Sequence, residues 1–456
     1  MCATASDAPG SSAMTLEVSD APPAARSVWL LFATLYASQY LGIGFIGLAL
    51  AAVLREQGAS LAQLGLLNLL LLPMSLKFLW APLVDRHGRR SHGAGRWPGR
   101  GHYRNWLLPM QALMALMVAL AAFMPPQGGL QALLLATLLV YAMATATQDL
   151  ALDGMATLTF TPAQRPLINS IQVGAGMLGN IVGGALVLWL YPYIGWRGCL
   201  WLLAALVVFP WLLLWRWREP QPPTDTVNAQ AGRSPWRQLL TFWQGQLPWL
   251  ALLTLGTTAF AALAMLTPAL VDAGWSLPEI GSAIRLFGAV VGLLAALLAA
   301  WWLRRLGRAQ AIALSALLQA LALLALLPVL LGRSSPAWVY AAIAAYYLAF
   351  SPLYASLGTV MMDKARACGA PATIYTLQNA SAMLLALLGS SACLWLAQRI
   401  GYAGALLLCM GSLLLAALLA LRWPGIIAST TPADAADSPA CGQPASACQH
   451  DCTALP

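Results

Sequence analysis

The sequence predicts an all-α integral membrane protein with twelve transmembrane helices in two parallel six-helix halves. Three observations lead there. Hydrophobic residues make up 60% of the 456 residues and charged ones 9%, with a mean hydropathy of +0.72; soluble domains carry roughly 25% charge. Apolar runs recur between Ser27 and Trp423, most of them near the ~20 residues a helix needs to cross a bilayer. Finally, short motifs in the first half return in the second in the same order. This composition excludes a soluble enzyme, a fibre, a disordered chain and a nucleic-acid-binding domain, and it makes the lipid bilayer the obligatory partner.

The runs place spans at about 27–54, 62–84, 105–124, 130–153, 167–190 and 198–217, then at 248–270, 279–303, 309–331, 337–361, 372–397 and 402–422. The implied organisation is a cytoplasmic tail (1–26), a first half (27–217), a cytoplasmic linker (218–247) with Pro220, Pro222 and Pro223, a second half (248–423) and a cytoplasmic tail (424–456). Residues 1–25 have no apolar core, so the first span is expected to act as the membrane signal. Charge sets the orientation. With the N-terminus inside, 18 basic residues fall in internal segments, from Arg26 and Arg86 to Lys364, Arg366 and Arg422, against four (Arg55, Arg197, Arg333, Arg399) outside. Such a bias puts both termini in the cytoplasm.

The echoes justify the two halves. Gly58-Ala59-Ser60-Leu61-Ala62-Gln63-Leu64-Gly65 returns as Gly274-Trp275-Ser276-Leu277-Pro278-Glu279-Ile280-Gly281, an offset of 216. Ile168-Asn169-Ser170-Ile171-Gln172 is echoed by Ile374-Tyr375-Thr376-Leu377-Gln378, and Ile194-Gly195-Trp196 by Ile400-Gly401-Tyr402, both at 206. Six spans per repeat make the halves parallel, an arrangement used by transporters with a central cavity.

Polar groups inside the spans mark candidate sites, because they are costly in lipid. Lys77 lies in the inner half of span two; Asp149 and Asp153 share a face near the inner end of span four, four residues apart. Lys77 and Asp149 fall at similar depth, and two readings stay open: a structural ion pair, or a substrate or proton site. For Asp153, near the interface, capping a helix end is the preferred reading. Arg285, inside the outer end of span eight, is read as an anion contact in a cavity, with snorkelling to the surface as the alternative. Gln39 and Tyr40 in span one, Gln148 in span four, Gln172 in span five and Gln378 in span eleven complete the set. The stripe Gly174, Gly176, Gly179, Gly183 and Gly184 is expected to permit close helix packing. Tyr346, Tyr347 and Tyr354 either line an aromatic pocket or pack.

No catalytic constellation, nucleotide-binding glycine loop or cofactor signature is present, so neither an enzyme nor an ATP-driven pump is expected. The cysteines form no disulfide framework. Cys441, Cys448, His450 and Cys452 in the Pro/Ala/Ser-rich tail are metal-ligand types, but a disordered tail is the preferred reading and no metal site is assigned.

Pro82-Leu83-Val84-Asp85-Arg86-His87-Gly88-Arg89-Arg90, with the degenerate copy Arg304-Arg305-Leu306-Gly307-Arg308, resembles the loop signature of the major facilitator superfamily. The resemblance implies that fold and a gate of Asp85, Arg86, Gly88, Arg89 and Arg90, with Asp85 pairing to basic groups across the cytoplasmic end. Ser75-Leu76-Lys77-Phe78-Leu79-Trp80-Ala81-Pro82 is similar to the second-span signature of the branch containing AmpG-type muropeptide permeases and acetyl-CoA transporters. Ala146-Thr147-Gln148-Asp149-Leu150-Ala151-Leu152-Asp153-Gly154 and Asn169-Ser170-Ile171-Gln172-Val173-Gly174 resemble the RhtX/FptX siderophore importers. Arg165-Pro166 departs from that pattern, which has Arg followed by Gly.

The resemblance implies a secondary transporter that imports a ferric siderophore, pyochelin-like or citrate-type, across a bacterial inner membrane; a monomer is expected. The membrane potential or the proton gradient is expected to drive it, and the buried charges are read with Asp149 as the proton-coupled carboxylate and Lys77 as its partner or as an anion contact. The alternative is a muropeptide or drug permease of the same fold; a transporter-like receptor is a more distant one.

Overall fold

The computed structural model describes residues 26–57, 67, 70, 72–87, 101–126, 132–219, 234–333, 335–368 and 370–428. The expected gate residues Gly88, Arg89 and Arg90, the first copy of the 216-offset echo and the Cys/His tail lie outside them. Every described span is helical, as lipid demands of a chain that must satisfy its own backbone.

Helix α1 runs Arg26–Leu54. The second span is α2 (Leu72–Leu76), a 3-10 turn (Lys77–Leu79) and α3 (Ala81–His87). Then come α4 (Arg104–Ala121) and α5 (Ala132–Thr159), and a 52-residue helical segment, Arg165–Arg216. Gly195 breaks that segment with φ +63° into α6 (165–194) and α7 (196–216). The linker region carries a short helix, α8 (Pro235–Thr241). The second half has α9 (Leu247–Asp272), α10 (Glu279–Leu303), α11 (Arg308–Leu330) and α12 (Pro336–Cys368). Its last segment, Pro371–Arg422, is split at Gly401 (φ +78°) into α13 (371–400) and α14 (402–422). The described helices are consistent with twelve spans in two halves.

Gly195 and Gly401 are the echoed turn glycines, and both occupy the left-handed region that other residues reach only at a cost. The repeat is therefore visible in the backbone. Trp196 and Tyr402, the next residues, pin each turn to a neighbouring helix end: Trp196 Nε1 donates to Ala121 O at 2.9 Å and Tyr402 Oη to Asp272 Oδ2 at 2.8 Å.

The second span departs from the continuous helix that hydropathy predicts. Pro82 has no N–H to give and clashes with the carbonyl four residues back, so the helix opens around Lys77 and resumes at Ala81; Trp80 N instead reaches Lys77 O at 3.2 Å. Three π-helical turns, Phe45–Leu50, Ile181–Leu186 and Ser282–Phe287, interrupt α1, α6 and α10. The first two pack on each other, where the glycine stripe of α6 lets the α1 backbone approach closely. One apolar core fills the second half and the arginine-rich end of the bundle; a second, around Phe45, Met114, Leu138 and Leu203, fills the opposite end of the first half.

Candidate functional site

At the arginine-rich end the halves are joined by two polar clasps. In the first, Asp85 on α3 is buried at the N-terminus of α13. It accepts hydrogen bonds from Thr373 N (2.8 Å), Thr373 Oγ1 (2.6 Å), Tyr103 Oη (2.5 Å) and Ala372 N (3.4 Å). Its described partners are thus uncharged donors rather than the expected basic groups. The reason is local: the first turn of a helix leaves its N–H groups unpaired and carries a partial positive charge, which suits a carboxylate. Arg86, the next residue, is exposed.

In the second clasp Arg165, at the start of α6, meets Asp363 near the end of α12 at 2.5 Å. Arg308 of α11 reaches the other Asp363 oxygen at 2.7 Å and Pro162 O, in the first half, at 2.6 Å. Pro166, the departure from the expected pattern, sits in the first turn of α6, where a missing N–H costs nothing. Two glycines allow this closure. A Cβ on Gly154 would sit 2.9 Å from the Ala372 side chain, and one on Gly358 would meet Asn169 Oδ1.

Behind the clasps lies a buried polar cluster. Lys77 and Asp149 form an ion pair and are both almost wholly buried; the break in the second span places the ammonium beside α5. Asp153, one helical turn on, has different company. Its Oδ1 accepts from Tyr36 Oη (3.2 Å) and Gln172 Nε2 (3.1 Å), and its Oδ2 has no hydrogen-bond partner among the described residues. Gln172 Oε1 in turn accepts from Tyr375 Oη of α13 at 3.2 Å, so the Asp153 cluster crosses between the halves. Tyr354 of α12 donates to Asn379 Oδ1 at 3.1 Å beside it.

The second half carries an open cavity of about 640 Å³ toward the opposite end of the bundle, between α9, α10, α12 and α13. Its walls include Phe260, Thr267, Tyr347, Leu387 and Ser390, and Arg285 is the charged residue among them. Arg285 lies in the π-helical turn of α10. An aromatic series descends α12 from this cavity: Phe260 meets Phe350 edge-on at 4.9 Å, and Phe350 stacks on Tyr354 at 5.9 Å. Such a space suits an anionic solute with an amphipathic body.

The remaining expected residues are placed as follows. Gln378 is buried, its Nε2 given to Met361 O and Ile374 O and its Oε1 accepting from Trp249 Nε1 at 2.8 Å. Gln148 Nε2 reaches Leu35 O at 3.4 Å while its Oε1 has no hydrogen-bond partner among the described residues. Gln39 is buried, and neither of its amide atoms has a hydrogen-bond partner among the described residues. Tyr40 packs on Gly176 and Gly179. Tyr346 donates to Ala259 O at 3.0 Å and packs, whereas Tyr347 lines the cavity. Sequence reasoning passed over Asp363, Tyr36, Tyr103, Thr373 and Tyr375. Asp363 alone carried a signal, a lone acid in the basic segment after span ten.

Outside the spans, Glu219 follows α7 and caps the start of α4, accepting from Arg104 N at 2.9 Å. Burial pushes its carboxyl up to about 7, against the opposing pull of the Arg104 and Tyr103 N–H groups and the Arg104 charge.

The model of the Major Facilitator Superfamily matches residues 32–386. Among curated proteins, the anhydromuropeptide permease of Escherichia coli (strain K12) is 29% identical over 278 residues, covering 59% of this chain and 54% of that protein. The putative transporter AmpG 4 of Rickettsia conorii is 24% identical over 283 residues, 60% of this chain and 66% of that one. The chain thus spans about half the length of the anhydromuropeptide permease it matches. Among solved structures, the human organic anion transporter MFSD10 superposes with a TM-score of 0.61 at 15% identity, over 88% of this chain and 100% of that one. A bacterial homologue of the iron transporter ferroportin, in its outward-facing state, gives 0.57 at 18%, over 88% and 99%. At such identities these two likenesses show the fold alone.

Proposed function

The chain belongs to the Major Facilitator Superfamily, and on that premise we propose a proton-coupled permease for anionic solutes of the muropeptide class in a bacterial inner membrane. It is a secondary transporter of a small molecule; the substrate, the coupling ion and the orientation are the proposal. The observation that carries it is the 640 Å³ cavity with Arg285 as its charge, in a chain 29% identical over 278 residues to an anhydromuropeptide permease. A muropeptide offers free carboxylates on an amphipathic body, the chemistry such a wall selects. The named relatives support this class over the ferric siderophore implied by the local motifs, and the ferroportin likeness adds fold only.

The arginine-rich end is assigned to the cytoplasm, with both termini there. The clasps then close the cytoplasmic side, and the cavity opens outward. In this reading Asp153, rather than Asp149, carries the proton. Asp149 is held directly by Lys77, whereas Asp153 feels that charge only at a distance; it accepts from uncharged donors, and its Oδ2 has no hydrogen-bond partner among the described residues. The change in its charge reaches the other half through Gln172 and Tyr375. Lys77, Asp149 and Gln172 serve as partners of that site, and Gln39, Tyr40, Gln148 and Gln378 shape the helices around it.

Purified protein in proteoliposomes tests this. An inward proton gradient should drive uptake of a labelled anhydromuropeptide, and Arg285→Ala should raise KM at least tenfold with little change in protein level. Uptake of a ferric siderophore but of no muropeptide would overturn the substrate class. Equal uphill uptake by Asp153→Asn and the unaltered protein would overturn the proton assignment.

A further inference from the structure

Three sulfur atoms meet in the second half, away from the charged groups described above. Cys393 Sγ on α13 lies 3.5 Å from Cys409 Sγ on α14 and 3.6 Å from Met265 Sδ on α9. Both cysteines are free thiols, and all three residues are buried. Their depth agrees from three helices. Cys393 and Cys409 lie eight residues before and after the turn at Gly401, and Met265 lies seven before the end of α9. At 1.5 Å per residue all three sit about 10–12 Å below that end of the bundle. Met265 lies behind the α9 wall, on which Leu263, Ala264 and Thr267 face the cavity.

From this geometry we propose that Met265, Cys393 and Cys409 form a binding site for a soft monovalent cation, Cu(I) being the one whose chemistry fits. Thiolate and thioether donors select soft cations over Mg²⁺ or Ca²⁺. Three sulfurs about 2.3 Å from one centre lie about 4 Å apart in a trigonal plane, so the two spacings from Cys393, 3.5 and 3.6 Å, need to widen by only about half an ångström, with Cys409 and Met265 settling on either side of the ion. Charge balance favours the monovalent ion in this apolar setting. One thiol releases its proton to water and forms a Cu–S bond, RSH + Cu⁺ → RS–Cu + H⁺. The second thiol and the thioether donate lone pairs, and the site stays neutral. The bound ion ties α9, α13 and α14 together behind the cavity wall.

The test uses the full-length protein with Cys2, Cys199, Cys368, Cys441, Cys448 and Cys452 replaced by Ser, in detergent with ascorbate. Cu(I) is added as its acetonitrile complex against a chromogenic chelator. One Cu(I) per chain should bind, with three sulfur neighbours at about 2.3 Å by X-ray absorption, and should protect both thiols from a membrane-permeant alkylating agent. Cys393→Ala/Cys409→Ala should bind none. Met265→Leu should keep one equivalent but weaken it about tenfold and leave two sulfur neighbours. To separate binding from folding, the unaltered full chain is compared with its Cys393→Ala/Cys409→Ala variant; monodisperse proteins should differ by one equivalent. Equal stoichiometry in that pair, or no effect of Met265→Leu, overturns the site.

Discussion

Replacing Asp85 by Asn keeps the side chain's size and removes its charge, which makes the closed arginine-rich end directly measurable. Three donors lie within 2.8 Å of the carboxylate: Thr373 N, Thr373 Oγ1 and Tyr103 Oη. A hydrogen bond to a charged group is worth about 1.5–3 kcal/mol and a neutral one about 0.5–1.5, so each bond loses about 1 kcal/mol. The α13 N-terminus adds about 0.3–1 kcal/mol of preference for the negative charge. Because the three bonds share one acceptor they do not add fully, and the closed state should lose about 2–4 kcal/mol. That is roughly a 30- to 1,000-fold shift toward the open end. Spin labels at His87 and Arg305, exposed residues of opposite halves at this end, would report it as a longer inter-label distance. Thr373→Val should give a smaller shift that is not additive with Asp85→Asn. An unchanged distance distribution in folded Asp85→Asn protein would refute the clasp.

Asp363→Asn breaks the second clasp and should open the same end in the same assay; normal closure would make the Arg165 and Arg308 contacts incidental. Lys77→Met or Asp149→Leu alone leaves an uncompensated buried charge, a loss of about 3–5 kcal/mol seen as reduced folded protein, and the double change should restore the protein level. Glu219 gives a pH dependence. Its carboxyl, raised to about 7 in the folded protein, binds its proton more tightly folded than unfolded. Its contribution to stability is thus full below its ordinary value near 4.5 and is lost as pH rises through about 7. Glu219→Gln should flatten the thermal-stability profile in that window, and an identical slope in both proteins would remove the assignment.

The parts of this molecule that follow from hydropathy and repetition were legible in the sequence, as the echoed turn at Gly195 and Gly401 shows. The Lys77–Asp149 pair was legible too, because depth within a span fixes which buried charges can meet. What escaped depends on the rotation and approach of helices far apart in sequence. Nothing in the Tyr375 neighbourhood reveals that its hydroxyl reaches Gln172, and nothing around Thr373 says that its N–H caps a carboxylate 288 residues away. Asp85 was found for its motif, yet its described partners are neutral donors rather than the basic groups expected. Paired basic residues suggest an ion pair, while the geometry offers the start of a helix. The break at Lys77 was in principle readable from Pro82, but continuous hydropathy outweighed it.

The two halves carry different chemistry, and under the proposed function that asymmetry is what would couple the solute pocket to the proton. The first half holds the carboxylates, Asp149 and Asp153, near the clasped end, and the second holds Arg285 in the cavity toward the opposite end. A solute seated beside Phe260 touches the aromatic series that runs through Phe350 to Tyr354, which bonds Asn379 on α13. Four residues earlier on α13, Tyr375 bonds the Gln172 that holds Asp153, and at the start of that helix Thr373 caps Asp85. Helix α13 therefore lines the cavity, meets the proposed proton site and forms one clasp. A displacement of this helix acts on all three together. In a rocking-bundle transporter the free energy that links solute, proton and gate must pass through elements with two positions, and α13 is placed to be that element.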